Sequence, residues 1–183
     1  MLETHLGGHF NVTHLDNGVL EWSKENLSVK SMLDIGCGPG GMVELALSKN
    51  IDAIGIDGDH TVNRFDKDRF IIQDFTKGPA IINRIFDLAW SVEFVEHVEE
   101  KYVPNYMKAF SQCKYVIMSF APKGAPGYHH VNCRDNQYWI DVFTENEFRF
   151  DHNLTLIMKS KSSMKRNFLR NNGLVFVNKK EYS

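Results

Sequence analysis

A glycine-rich loop near the start of the chain has the residue types and spacing that suit an anionic ligand. Gly36, Gly38 and Gly41 follow a short apolar run with the spacing G-x-G-x-x-G, and a helical pattern begins directly after them. Glycines let the backbone approach a ligand, and the amino terminus of a helix offers N–H groups to an anion. The anion is a pyrophosphate in a dinucleotide and a carboxylate in S-adenosylmethionine, so both ligands are candidates.

An acidic residue beside the loop favours S-adenosylmethionine. Asp34 stands two residues before the first glycine, at the end of a predicted strand. A carboxylate there would repel a pyrophosphate, but it suits a ligand that carries an ammonium and a sulfonium. Asp57 and Asp74 end two further predicted strands, and acids at three successive strand ends argue against simple capping residues. NAD remains the alternative, because glycine motifs of this kind are loosely specific.

Strands that alternate with helices along the chain must position these residues. Such alternation predicts parallel strand pairing in an α/β layered fold, in which ligands bind at the carboxyl ends of the strands. Residues 92–113 are predicted to hold a helix with a break near Pro104. The predicted strands are 31–35, 52–57, 70–75, 86–91, 114–122 and 173–179, and the other predicted helices are 15–27, 41–50 and 136–148.

Length and composition limit the kinds of protein that this chain can be. Its 183 residues suit one domain, and a hydrophobic content of 43% allows a large core. A net charge of −2 argues against binding nucleic acid by bulk charge, and the basic stretch 159–170 is interpreted as a solvated helical face. Three scattered cysteines are too few for a disulfide framework or a zinc site. With neither a signal-peptide pattern nor an apolar run near the roughly 20 residues that span a bilayer, we expect a soluble cytoplasmic protein without membrane contact.

The motif LDIGCGPGG, which spans residues 33–41, resembles the first motif of the class I S-adenosylmethionine-dependent methyltransferases. The resemblance continues through GIDGD and IIQDF and covers most of the chain, from about residue 15 to 178. It implies one Rossmann-like domain over residues 1–183, with a doubly wound, mostly parallel sheet, an antiparallel last strand and helices on both faces. Within it, residues 1–30 would form an N-terminal helical or lid segment and residues 31–183 the core that binds S-adenosylmethionine.

The resemblance also implies how the methyl donor is held. Asp57 would accept hydrogen bonds from both ribose hydroxyls, and Asp74 would accept one from the adenine amine while the Phe75 backbone reads the edge of the ring. The histidine-rich stretch 5–14 would fold over the donor as a lid, unless it is a frayed terminus. The remaining expected donor contacts are Asp34, Gly36, Cys37, Gly38, Gly40, Gly58 and Ser91.

Several acceptor classes are disfavoured by motifs that this chain lacks. Enzymes that methylate base amino groups carry an Asn/Asp-Pro-Pro-aromatic signature after the fourth strand, where this chain reads DLAWSVEF. Pyrimidine carbon methylation uses a Pro-Cys nucleophile, and no cysteine here follows a proline. A small-molecule acceptor, methylated on oxygen or alternatively on nitrogen, is therefore expected. A binding module of the same fold without catalysis is a further alternative, although the motif acids are intact.

Glu93, Glu96 and His97 form the sequence E-x-x-E-H after the fourth predicted strand. On a helix, residues at i, i+3 and i+4 share a face, so the three side chains could bind a divalent cation such as magnesium. The trio resembles one in quinone-biosynthesis O-methyltransferases, some of which use such a metal. The alternative interpretation is that these residues only cap the helix and shape the site.

A loop rich in proline and glycine follows the fifth predicted strand and carries His129 and His130. Adjacent residues of an extended chain face different ways, so one of the two could enter the cleft and accept a proton from a hydroxyl. His130 is preferred, because the next residues begin the turn into a helix. His97 is the third candidate catalytic histidine, and the alternative for the loop pair is that both only hold the loop in place.

Overall fold

Seven strands form one sheet in the order β3-β2-β1-β4-β5-β7-β6 in the computed structural model, which describes residues 3–6 and 8–180. Strands β1 to β5 pair in parallel, and β7 runs antiparallel to both of its neighbours. The predicted doubly wound, mostly parallel sheet with an antiparallel last strand is therefore confirmed. The strands are β1 Ser31–Ile35, β2 Asp52–Asp57, β3 Phe70–Ile72, β4 Phe86–Ser91, β5 Cys113–Ser119, β6 Phe148–Phe150 and β7 Gly173–Asn178.

Six α-helices surround the sheet, and three of them begin at an aspartate that caps the first turn. The carboxylates of Asp16, Asp135 and Asp151 each accept a hydrogen bond from the backbone N–H three residues on, which satisfies a donor that the helix leaves unpaired. The helices are α1 Asn17–Asn26, α2 Gly41–Ser48, α3 Val103–Phe110, α4 Asn136–Glu145, α5 His152–Lys161 and α6 Phe168–Asn172.

The sheet buries a hydrophobic core on each face. Successive strand residues point to opposite faces, so Met32 joins one core and Leu33 the other. Helices α3 and α4 cover the first face, and α1, α2, α5 and α6 cover the second. Fully buried side chains on the two faces include Phe110, Trp139, Phe143 and Phe176 on the first and Leu20, Met42, Met158 and Leu169 on the second.

Two elements of the structure differ from the sequence prediction, the end of β3 and the chain around Pro104. Strand β3 ends at Ile72 and not at residue 75, because the Asp74 carboxylate accepts hydrogen bonds from the N–H and hydroxyl of Thr76 and turns the chain. Pro104 does not break a helix. It lies in the first turn of α3, where a missing N–H costs nothing, and two short 3-10 turns precede that helix.

The segment between β6 and β7 is larger than the sequence predicted. It holds α5, a loop over residues 162–167, and α6, so the basic stretch 159–170 is not one solvated helical face. Met164 and Leu169 are buried, and the Arg170 guanidinium donates to the backbone oxygens of Ser162 and Met164.

None of the described helices is long and apolar enough to cross a membrane. The division into a segment 1–30 and a core 31–183 stays a prediction. Residues 1, 2, 7 and 181–183 of that division lie outside the described residues.

Candidate active site

Two adjacent cavities open where the parallel strands end. The inner pocket, of about 580 Å³, lies beside the ends of β2 and β3, and the outer cleft, of about 1390 Å³ with its open mouth, lies beside the ends of β1 and β4. The two cavities share part of their lining, so they adjoin one another. The shared lining residues are Gly8, His9, Gly36, Glu93 and His97.

The glycine loop joins β1 to α2 in a conformation that only glycine accommodates well. Gly36 has φ +77°, and a Cβ at this position would collide with the ring of Phe94. The N–H groups of Gly36 and Cys37 donate to Ile56 O, and that of Gly38 donates to Asp57 Oδ2 at 2.8 Å. These three N–H groups already have partners within the protein, so an anion at this loop would have to be bound by N–H groups nearer the start of α2. The glycines let a ligand approach the loop backbone closely. The Asp57 carboxylate already accepts the Gly38 N–H, which is a donor that a pyrophosphate would need.

Asp34 lies at the outer cleft with only 3% of its surface exposed. Burial, together with the charge of Asp57, raises the pKa of its carboxyl to about 8. No hydrogen bond reaches this carboxyl from the described residues. A cationic group placed beside it would favour its ionised form, which is what the ammonium or the sulfonium of S-adenosylmethionine would provide.

Asp57 ends β2 and faces the inner pocket. Its Oδ2 accepts from Gly38 N and its Oδ1 from Asp59 N, both at 2.8 Å. Burial raises the pKa of this carboxyl, and the two backbone hydrogen bonds and the nearby Arg64 oppose that rise. A carboxylate can accept about four hydrogen bonds, so acceptor sites remain for two ligand hydroxyls.

Asp74 also lines the inner pocket, beside the buried Phe75. One carboxylate oxygen accepts from Thr76, and the other lies 3.2 Å from His5 Nε2 and 3.3 Å from Lys77 Nζ. Burial acts to raise the pKa of Asp74, but the hydrogen bonds from Thr76 and His5 outweigh it and the pKa is lowered. The Asp74 carboxylate is therefore charged at neutral pH. Its Oδ2 atom lies on the side of the inner pocket where His5 is also part of the lining.

The remaining predicted donor contacts divide into two groups. Gly58 lines the inner pocket and Cys37 lines the outer cleft. Gly40 and Ser91 line neither cavity. Gly40 precedes α2 with φ +87° against the Phe70 ring, and the fully buried Ser91 hydroxyl donates to Ile35 O at 2.9 Å. Both hold the loop and the strand end in place, and their contact with the donor stays a prediction.

The histidines of the loop after β5 are placed differently from one another. His130 lines the outer cleft, whereas His129 lines neither cavity and has φ +47°. His130 Nδ1 donates to Ala125 O at 3.1 Å, which leaves Nε2 as the acceptor nitrogen of a neutral ring. His97 lies with its ring centroid 5.0 Å from that of His130, and burial followed by the charge of His130 lowers the pKa of His97 to about 4.

The segment from Glu93 to His97 is not the helix that the sequence predicted. Glu93 has φ +56° and its N–H donates to Ser119 Oγ at 3.0 Å, so it lies outside the short 3-10 turn Val95–His97. Glu96 is fully buried, and neither of its carboxyl oxygens has a hydrogen bond of good geometry within the described residues. Burial raises the pKa of Glu93 to about 7, and burial with the charge of Glu93 raises that of Glu96.

The predicted metal ligands are only partly brought together. Ligand atoms of Glu96, His97 and His130 all lie within 4.8 Å of one another, whereas Glu93 is not part of this group. One carboxylate with two imidazoles suits a borderline cation such as zinc or iron better than magnesium, which prefers oxygen ligands. A second group of possible ligands among the described residues, formed by Glu3, His5 and Asp74, lies nearer the surface.

The described part of the N-terminal segment lies over both cavities. Residues 5, 6 and 8–14 line the two cavities except Asn11, and Gly7 lies outside the described residues. His9 Nε2 lies 3.0 Å from Asp59 Oδ2, and Gly41 N donates to Thr13 Oγ1 at 3.1 Å. These contacts place the segment where a lid over the donor would lie, and its action as a lid stays a prediction.

Residues that sequence reasoning missed fall into two kinds. Arg64 is 7% exposed and donates hydrogen bonds to Gly38 O and Asp59 O, both at 2.9 Å, so it stabilises the conformation of the glycine loop. A single arginine in an otherwise irregular loop gave no signal for this role. Tyr128, Arg166 and Phe168 line the outer cleft from segments far apart in sequence, and only the folded chain brings them together.

A doubly wound sheet with acids at the ends of β1 and β2 and just beyond β3, facing a divided cavity, defines a class of protein that binds an adenosyl cofactor at the strand ends. A family model described as a methyltransferase domain matches residues 9–175. The chain therefore belongs to the methyltransferase domain family, and it is an S-adenosylmethionine-dependent methyltransferase of class I.

Solved structures of low sequence identity share the fold. A methyltransferase from Clostridium acetobutylicum ATCC 824 that depends on S-adenosylmethionine matches with TM-score 0.63 and 13% identity over 90% of each chain. The sugar N-methyltransferase KedS8 from Streptoalloteichus sp ATCC 53650 matches with TM-score 0.61 and 9% identity over 90% of this chain and 88% of that one. Magnesium protoporphyrin IX methyltransferase from Synechocystis PCC 6803, with bound S-adenosylmethionine, matches with TM-score 0.56 and 18% identity over 87% and 76%. No curated protein sequence matches significantly.

Proposed function

We propose that the protein transfers the methyl group of S-adenosylmethionine to an oxygen atom of a small molecule held in the outer cleft. The observation that carries this proposal is the division of the cavity, with Asp57 and Asp74 in the inner pocket and His130 in the outer cleft. Glu93 and His97 line both parts, so they mark the junction across which a methyl group would pass.

In this arrangement the adenosine part of the donor occupies the inner pocket. The ribose hydroxyls donate to the free acceptor sites of Asp57, and the adenine amine donates to Asp74. The methionine part extends past Gly36 toward Asp34, whose carboxyl ionises beside the ammonium. The sulfonium methyl then points to the junction between the two cavities.

Methyl transfer is a direct displacement in which the acceptor oxygen bonds to the methyl carbon as the carbon–sulfur bond breaks. The donor is already activated, so alignment of the two reactants in adjoining cavities supplies much of the acceleration. A hydroxyl acceptor must also lose a proton, and Nε2 of His130 is available to accept it. The products are the methyl ether and S-adenosylhomocysteine, and the proton passes from the imidazole to solvent.

A small-molecule acceptor is supported by the dimensions and walls of the outer cleft. Trp90, Tyr128 and Phe168 line it, and its open volume suits one organic ligand beside the methionine part of the donor. Two of the structural neighbours, the sugar N-methyltransferase and the magnesium protoporphyrin IX methyltransferase, are named for small-molecule substrates. Methylation of nitrogen is the alternative, and it differs in needing no base when the amine is already neutral.

A divalent cation is a second candidate component of the site. The fully buried carboxyl of Glu96 has no hydrogen-bond partner in the described residues, and a ring nitrogen of His97 and one of His130 lie within 4.8 Å of it. A buried carboxylate of this kind fits a cation, which when bound would polarise the acceptor oxygen. A chelator should then lower turnover, and zinc or ferrous iron should restore it better than magnesium. Full turnover in the presence of chelator would leave Glu96 as a protonated structural residue.

The proposed function is tested by measuring binding and product release separately. Calorimetric titration with S-adenosylmethionine, S-adenosylhomocysteine and NAD identifies the cofactor. Incubation with a library of small-molecule hydroxyls and amines, with S-adenosylhomocysteine release as the readout, then identifies the acceptor atom. Binding of S-adenosylmethionine without release for any library member would favour the non-catalytic binding module.

A further inference from the structure

The two-helix insertion between β6 and β7 brings a cation to the outer cleft. Arg166 lies in the loop between α5 and α6, and it is the one residue with a permanent positive charge among the described residues that line this cleft. Phe168 follows it and also lines the cleft. The sequence had suggested a solvated basic face for this stretch, so the position of Arg166 at the cleft was not expected.

The guanidinium of Arg166 has no protein partner, in contrast to that of its neighbour Arg170. Arg170 donates to the backbone oxygens of Ser162 and Met164 and to Asn167 Oδ1, and it also reaches Arg166 O at 3.3 Å. The described residues provide no hydrogen bond or ion pair to the Arg166 side chain. The loop backbone is thus held by Arg170, while the guanidinium of Arg166 is exposed and its donors are open to solvent or to a ligand in the cleft.

The groups around Arg166 do not neutralise it. His14, which also lines the cleft, packs its ring against Phe168 with centroids 4.9 Å apart, and burial followed by the Arg166 charge lowers the pKa of His14. Asp34 and Glu93 are the acidic residues in the described cleft lining, and neither forms an ion pair with Arg166.

Part of the lining of the outer cleft is apolar and aromatic. Phe10 and Tyr128 pack edge to face with centroids 5.4 Å apart at the mouth, and Trp90 and Val92 form the wall near β4. Such walls favour the body of a flat, apolar ligand, and a guanidinium fork binds a carboxylate with two parallel hydrogen bonds.

We propose that Arg166, with Phe168 and His14, forms a subsite for a carboxylate group of the methyl acceptor, and that the acceptor is an aromatic acid. This inference rests on the proposed function, because it takes the outer cleft to be the acceptor site. The carboxylate is held at Arg166, the aromatic body lies along the apolar wall, and the nucleophilic oxygen reaches the junction beside Glu93 and His97. The other carboxylate that Arg166 could meet is that of the donor's own methionine, and the experiment separates the two sources.

The test compares binding of matched probes to the wild-type protein and three variants. The probes are aromatic hydroxy acids of one to three rings, each paired with its neutral carboxamide, titrated by calorimetry at saturating S-adenosylhomocysteine. The proteins are the wild type, Arg166→Gln and, as a matched control, Lys165→Gln, which alters an exposed neighbouring charge that lines neither cavity. The wild type should bind at least one acid more tightly than its amide, and Arg166→Gln should weaken that acid by about 10- to 100-fold while leaving the amide unchanged.

Lys165→Gln should leave both probes unchanged, and Arg166→Lys should recover part of the preference because it keeps the charge without the fork. The inference is overturned if no acid is preferred over its amide, or if Arg166→Gln weakens S-adenosylhomocysteine itself and not the probe. Failure of the wild type to bind S-adenosylmethionine would instead overturn the proposed function. Circular dichroism of the exposed-loop variants verifies that each is folded.

Discussion

The inner pocket and the outer cleft differ in whether their ionisable groups already have protein partners. In the inner pocket, backbone N–H groups donate to Asp57, and Thr76 and His5 hold Asp74. In the outer cleft, no described residue donates a hydrogen bond to the Asp34 carboxyl, and burial raises its pKa. Glu93, which lines both cavities, has a left-handed backbone conformation and a pKa that burial also raises. The first set is fixed before the ligand arrives, whereas the second set depends on the ligand for its charge.

The difference follows from the elements that build each cavity. The inner pocket is formed mainly where β2 and β3 end, and strand ends in a sheet hold side chains in place. The outer cleft is formed by loops, namely residues 8–14, the turn after β4, the loop after β5 and the insertion between β6 and β7. Loops vary more easily than strands, so such an arrangement keeps donor binding constant while acceptor selection can change.

The largest expected effect concerns the inner pocket. Asp57→Ala should remove two charge-assisted hydrogen bonds to the ribose, each worth about 1.5–3 kcal/mol, and so weaken S-adenosylmethionine at least a hundredfold. Asp52→Ala is the matched control, because Asp52 lies at the other end of β2 and pairs with Arg69 and Arg84 outside both cavities. Calorimetry on both variants is the measurement. Equal donor affinity in the two would show that Asp57 does not bind the ribose.

The next effect concerns the outer cleft and should appear in turnover, not in donor affinity. His130→Ala should lower the turnover rate by about 10²- to 10⁴-fold, because it removes the proton acceptor. His129→Ala is the control, since His129 lines neither cavity. Turnover at saturating donor is the measurement, and normal turnover of His130→Ala would exclude this residue as the base.

A third prediction uses Asp34 to compare stability with binding. The pKa of Asp34 is about 8 in the folded protein, which is above the ordinary aspartate value. As the pH rises from about 4 toward 8, the carboxyl ionises in the unfolded state but not in the folded state, so the free energy of unfolding falls over this range. Asp34→Asn should therefore raise the free energy of unfolding at pH 7 to 8 by about 2–4 kcal/mol and have little effect at pH 4.

The same variant should weaken S-adenosylmethionine, because the neutral amide no longer attracts the ammonium. Thermal unfolding at several pH values, without ligand, gives the stability change, and calorimetry gives the affinity. A variant that is less stable than the wild type at pH 8 would contradict the account of Asp34 as an unpartnered buried acid.

The sequence predicted the donor half well because its signals are local. Asp57, Gly58 and Asp74 lie at or just beyond strand ends, and alternating strands fix where those ends meet. Gly40 and Ser91 were also predicted to contact the donor from their positions in the motif. In the structure they pack against the Phe70 ring and Ile35 O and line neither cavity.

The acceptor half was harder to predict because its residues meet only through the tertiary fold. Glu93, Glu96 and His97 have helical spacing, yet the left-handed Glu93 and its bond to Ser119 place them on a short turn instead. Arg166 reaches the cleft from an insertion whose helix α5 buries only Thr155 and Met158. That weak apolar pattern gives little periodic signal, so the insertion and its contribution to the cleft were missed.

The smallest expected effect concerns the contact between the N-terminal segment and the inner pocket. His5 Nε2 lies 3.2 Å from Asp74 Oδ2, and both side chains are partly accessible, so the pair should contribute about 0.2–1 kcal/mol. If the segment closes over the bound donor, His5→Ala should speed donor release and raise the dissociation constant of S-adenosylmethionine by about two- to fivefold. His60→Ala is the control, because His60 is exposed and lines neither cavity. Stopped-flow displacement of the donor measures the release rate. Slower release or tighter binding in His5→Ala would mean that His5 competes with the adenine amine for Asp74, and the segment would then hinder donor binding and not retain the donor.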